Sequence, residues 1–152
     1  MEITDNYEDE WNKEMQKLRR LNKVAMALHF LQGSAQLALS FYSEAYRNRQ
    51  VPVTTLFADW TQEDHKPEFG LLRKFGILRA TSYFAFMSAF GHFLCLLRWQ
   101  IYTADLKDGR QRFRWGEYTL SASLIQTLLF MLWLNYDLIM VSGCFVVTAM
   151  CI

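Results

Sequence analysis

From Val24 to Tyr42 the chain reads VAMALHFLQGSAQLALSFY, without one Asp, Glu, Lys or Arg. At ~1.5 Å per residue, a helix of that run nearly crosses the ~30 Å hydrocarbon core of a bilayer. Three further apolar runs follow. Ile77 to Leu97 carries a single charge, Arg79, close enough to its start to snorkel. The third extends from about Phe113 to Leu134, and the fourth from Leu138 to Ile152. A chain of 152 residues, 52% of them apolar, cannot wrap all of this in a water-facing shell. The expectation is an all-α integral membrane helical bundle with spans at 24–42, 77–97, 113–134 and 138–152. Lipid is then its first partner.

The charges are segregated. Residues 1–20, MEITDNYEDEWNKEMQKLRR, are densely charged and read as a cytoplasmic tail. They also argue against a secretory signal, whose apolar stretch follows a short basic region directly. A net charge of +1 and the lack of a basic stripe with interleaved aromatics point away from nucleic acid. Cys95, Cys144 and Cys151 all lie inside apolar runs without CxxC spacing, so they read as small buried hydrophobes and no metal site is expected. No nucleophile–base set suggests an enzyme.

The connections differ in kind. Asn135, Tyr136 and Asp137 predict a tight turn, making the third and fourth helices antiparallel neighbours. Trp99 to Gln111 reads as a short polar loop turning at Asp108-Gly109. Residues 43–74 are too long for a simple connector. There VPVTTLFADW, rich in β-branched and aromatic residues, predicts a short β-hairpin on the membrane surface. The last run supplies fifteen residues, ~22 Å of helix, so a single transmembrane domain that is part of a longer protein is expected. Of the 16 Lys and Arg residues, ten flank the spans on the side of the N-terminus and six on the other. That asymmetry places the N-terminus in the cytoplasm and 43–74 outside.

Ionisable groups inside apolar spans are costly and mark functional sites. Three stand out: His29, His92 and Glu117; His65 lies in the long loop. All three fall at a similar depth on the side of the N-terminus. Each has polar or small neighbours at helical spacing. Gln32 follows His29 at i+3, and Ser121 follows Glu117 at i+4. Thr81, Ala85, Ser88 and His92 form one stripe. Lipid cannot satisfy such groups, so the stripes are expected to converge on a hydrogen-bonded or water-filled pocket. Blander readings compete. A Ser or Gln in a membrane helix commonly serves helix packing, and Glu117 could pair with Arg114 at i+3.

Three pieces of the chain, LNKVAMALHFLQ (21–32), MSAFGHF (87–93) and FRWGEYTLSAS (113–123), resemble the heliorhodopsins. These are retinal-binding membrane proteins with a cytoplasmic N-terminus. The resemblance implies the first four helices of a seven-helix rhodopsin-like fold and a light-sensing function. It implies Glu117 as counterion of the protonated retinal Schiff base. It also implies His29, Ser88 and His92 in a polar cavity, and Tyr118 and Ser121 around the chromophore. The first-loop hairpin would contribute to a homodimer. Family members attach retinal through a lysine of the seventh helix. Lys13, Lys17, Lys23, Lys66, Lys74 and Lys107 all lie in tails, loops or membrane boundaries, so the missing C-terminal helices would be a further partner. The alternative is a shortened, non-photoactive membrane protein acting through helix–helix association. A proton conductor using His29, His92 and Glu117 is a third reading.

Overall fold

A computed structural model describes residues 2–58, 67–133 and 135–152, with the side chains of 2–6, 56–58 and 67–69 excepted. Trp60, His65, Lys66 and Leu134 therefore lie outside the described residues. Six helices and one hairpin make up the rest: α1 (Glu2–Tyr42), α2 (Glu44–Arg47), β1 (Gln50–Ala58), β2 (Pro67–Gly76), α3 (Ile77–Leu97), α4 (Trp99–Lys107), α5 (Arg112–Leu132) and α6 (Leu138–Cys151).

The charged N-terminal segment is a continuation of the first helix. α1 has 41 residues and so is ~60 Å long, about twice the hydrocarbon thickness. No Gly or Pro interrupts it before Gly33. Its uncharged half suits lipid and its charged half must stand in water. Leu28 and Leu31 remain 61% and 64% exposed, as lipid-facing side chains would be. Among the described residues, two helices are long and apolar enough to cross a membrane, within Tyr7–Tyr42 and at Ile77–Leu97. Leu138–Cys151 is apolar but shorter. Four spans were expected. α5 departs because its first turns, RFRWGEY, are strongly polar.

α3 packs against α1 on one side and α5 on the other, and α6 packs on α5. The contacts use small residues. Ser82, Ala85 and Ser123 are wholly buried, which lets the backbones approach. Their hydroxyls bond within their own helices: Ser82 to the Arg79 carbonyl, Ser123 to that of Thr119. Neither hydroxyl is thereby orphaned.

The hairpin is antiparallel, with Gln50 opposite Gly76 and a bulge after Val53. Both prolines, Pro52 and Pro67, are tolerated because a two-stranded ribbon is all edge. It meets the far end of the helices, where Thr54 N–H donates to the Tyr136 carbonyl (2.8 Å). The 135–137 turn is closed by Asp137, whose carboxylate accepts from the Ile139 and Met140 amides at 3.0 and 3.1 Å.

The expected 99–111 loop is a correction. Nine of its residues form α4, because Tyr102 and Asp105 lie on one face and are buried together. The turn at Asp108-Gly109 is present, with Gly109 at φ 70, a backbone state glycine adopts freely.

Candidate polar site beneath the fourth helix

Where α1 and α5 flank α3, below α4, the helices line a partly open cavity of about 380 Å³. Residues of all four elements line it. His29 comes from α1, Ser88 and His92 from α3, Glu117 and Tyr118 from α5, and Tyr102 from α4.

Glu117 organises the deeper part. Its Oε1 accepts from Ser88 (3.0 Å) across the α3–α5 contact and from Ser121 (2.8 Å) one turn on. Among the described residues no cation lies within ion-pair distance of it. The pairing with Arg114 considered above does not form. Arg114 donates to the Tyr118 hydroxyl and lies over its ring instead. The Glu117 carboxyl is thus held by two neutral hydroxyls.

Close approach at this point depends on Gly91. A Cβ placed there would stand 2.5 Å from Glu117 Cγ, nearer than any real contact. The residue beside His92 must therefore be small for the carboxylate to sit where it does.

The two histidines meet face to face, with ring centroids 5.7 Å apart and planes 10° from parallel. Asn22 holds one of them. Its amide N–H donates to the Leu18 carbonyl (3.0 Å), which turns its Oδ1 toward His92 Nδ1 at 2.7 Å. An amide oxygen only accepts, so His92 Nδ1 carries the proton. His29 Nδ1 is buried with no partner among the described residues. A group of that kind calls for a ligand or a proton acceptor within the cavity.

Tyr102 closes the cavity from α4, and burial pushes its phenol upward, so it stays neutral. Behind it, Arg112 donates two bonds to Asp105, at 2.6 and 3.0 Å. That guanidinium holds the Asp105 carboxyl below its ordinary range.

Six of the seven predicted residues therefore gather: His29, Ser88, His92, Glu117 and Tyr118 line the cavity, and Ser121 bonds to Glu117. Gln32 does not join them. It is exposed, because three residues past His29 turns it off the α3-facing side, which Asn22, His29 and Gly33 share. Thr81 also stands apart, beside a second cavity toward the hairpin. Asn22, Gly91 and Tyr102 were missed. Asn22 shares a face with His29 at i−7, a signal readable in advance but lying before the uncharged run.

A family model described as Heliorhodopsin matches residues 18–152. No curated protein matches the chain.

Proposed function

The chain belongs to the heliorhodopsin family, and from that premise we propose a light-sensing, retinal-binding membrane protein with Glu117 as counterion. One observation carries this reading. Glu117 has two hydroxyl donors and, among the described residues, no cation within 4.0 Å. A partly buried carboxylate so placed favours a positive charge brought to it. A protonated nitrogen of bound retinal is such a charge, and the residues present fit it.

Retinal, when bound, would supply a polyene that isomerises on absorbing light. The chain's own residues do the rest. Ser88 and Ser121 fix the carboxylate, Gly91 admits it, and Tyr118 lines the same cavity. His29 and His92, stacked face to face, form the polar part of the same cavity. The attachment amine comes from outside these residues. None of the described lysine side chains lines the cavity. In this reading the helices are the first four of a seven-helix rhodopsin-like fold, with the N-terminus cytoplasmic and the hairpin contributing to a homodimer.

The second reading is a non-photoactive protein acting by helix association. It draws on α6, which has no buried residue and so offers its whole outer face to further helices or a second copy.

The test adds all-trans retinal to the purified chain and fixes any imine with borohydride. The expected result is no retinal on any lysine. Co-expression with the lysine-bearing C-terminal helices of a family member should then give a visible band. Glu117→Gln should move the titration of that band to lower pH, since the cation loses its partner. An unmoved titration removes Glu117 from the counterion role. A pigment from the chain alone refutes the origin of the amine, and no pigment under co-expression favours the second reading.

A further inference from the structure

The same end of the molecule carries a basic cleft on its outer side. α3 ends at Leu97, and α4 leaves from Trp99 after Arg98. Arg19 of α1 lies across that corner, its guanidinium 5.6 Å from the Trp99 ring centroid. Between them opens a cavity of about 400 Å³, lined by Arg19, Arg98, Trp99 and Gln100 with Leu97 and Ile101 as an apolar wall. Leu97 and Ile101 are 60% and 44% exposed, so that wall is open to its surroundings. The cleft sits where the apolar span of α3 gives way to polar sequence, and thus at a membrane boundary.

The charges around it are unevenly matched. Asp105 is taken by Arg112, Asp108 by Arg110 and Glu14 by Lys17. Among the described residues no carboxylate lies within 4.0 Å of Arg19 or Arg98. The residues three and four away from Arg19 on its own helix are Met15, Gln16, Asn22 and Lys23, none of them acidic. Two guanidinium forks remain, with an amide beside them and hydrocarbon on one side. Guanidinium groups suit phosphate oxygens geometrically. A soluble phosphate would use the arginines and gain nothing from Leu97 and Ile101. An amphiphile would use both.

We propose that this cleft binds the headgroup of an anionic phospholipid, its phosphate between Arg19 and Arg98 and an acyl chain along Leu97 and Ile101. The proposal rests on the membrane reading above and is independent of retinal. Basic pockets at the ends of membrane helices recognise lipid headgroups by this chemistry.

The experiment places the purified chain in nanodiscs of equimolar phosphatidylglycerol and phosphatidylcholine, and counts lipids retained in native mass spectra. At ~1 kcal/mol per basic residue near an anionic surface, each arginine is worth about fivefold in selection. The wild type should favour phosphatidylglycerol by roughly tenfold or more, and R19Q R98Q should bring the ratio near one. R73Q, changed at the hairpin end, should keep the wild-type ratio. Where the double variant does not fold, R98Q alone should lower the ratio about fivefold, since Arg98 is exposed and at a helix end. Equal retention by the wild type, or an equal fall in R73Q, overturns the proposal. Displacement of the phospholipid by millimolar glycerol 3-phosphate overturns it too, in favour of a soluble anion. Carbonate extraction separates the premises: a chain that does not insert refutes the membrane reading, whereas an inserted chain without selection refutes the lipid site alone.

Discussion

At the scale of single residues, Gly91 and Glu117 form one unit. The carboxylate has its place because the facing residue lacks a side chain, and the two serines then hold it. Gly91→Ala would drive a methyl group to 2.5 Å from Glu117 Cγ. The helix gains up to ~1 kcal/mol of propensity from such a change, but overpacking costs about 1–3 kcal/mol. Net destabilisation is expected. Gly116→Ala is the control, since a Cβ there meets nothing within 4 Å. It should be neutral or stabilising by up to ~1 kcal/mol. Thermal or detergent unfolding of both variants checks the order, and a reversed order would mean that α3 and α5 approach each other elsewhere. Asn22 illustrates how a residue outside the uncharged run can still govern the site, through one hydrogen bond to His92.

At the scale of elements, α4 is the piece that turns a groove into a cavity. It is anchored by Tyr102, buried edge-on against the Phe113 ring of α5, and by the Asp105–Arg112 pair. Asp105 titrates below its ordinary value of 3.8 in the folded protein because Arg112 bonds to its charged form. A depressed carboxylate contributes stability that is fully present above its unfolded pKa. That contribution is lost as pH falls through the lower, folded value. Protection factors of the amides in Trp99–Lys107, corrected for the intrinsic pH dependence of exchange, should therefore be steady above about pH 4 and fall below it. Asp105→Asn should accelerate exchange at neutral pH and abolish this pH dependence. Unchanged protection in the variant would assign the anchoring of α4 to Tyr102 alone.

At the scale of the whole molecule, the polar cavity and the basic cleft share one end, and the hairpin meets the 135–137 turn at the other. In the orientation proposed from the Lys and Arg asymmetry, the cavity end is the cytoplasmic one. In a background with Cys95, Cys144 and Cys151 replaced, a membrane-impermeant thiol reagent on intact cells should label a cysteine at Asn48. It should spare one at Asp108. The opposite pattern would invert the molecule.

Much of this was legible in the residues themselves. Uncharged runs of bilayer length dictate membrane helices, and α3 begins and ends where its apolar run does, at Ile77 and Leu97. Helical spacing alone placed Ser88 with His92 and Glu117 with Ser121 on common faces. Depth along antiparallel helices then brought His29 near them. Tertiary structure decided what periodicity cannot express, which is how far each helix is rotated about its axis and what stands opposite. That rotation turned Gln32 outward and Asn22 inward. It gave Arg114 to Tyr118 and left Glu117, among the described residues, without an ion pair. It also made a helix of a polar connector, because Tyr102 and Asp105 found partners only once α1, α3 and α5 were in place.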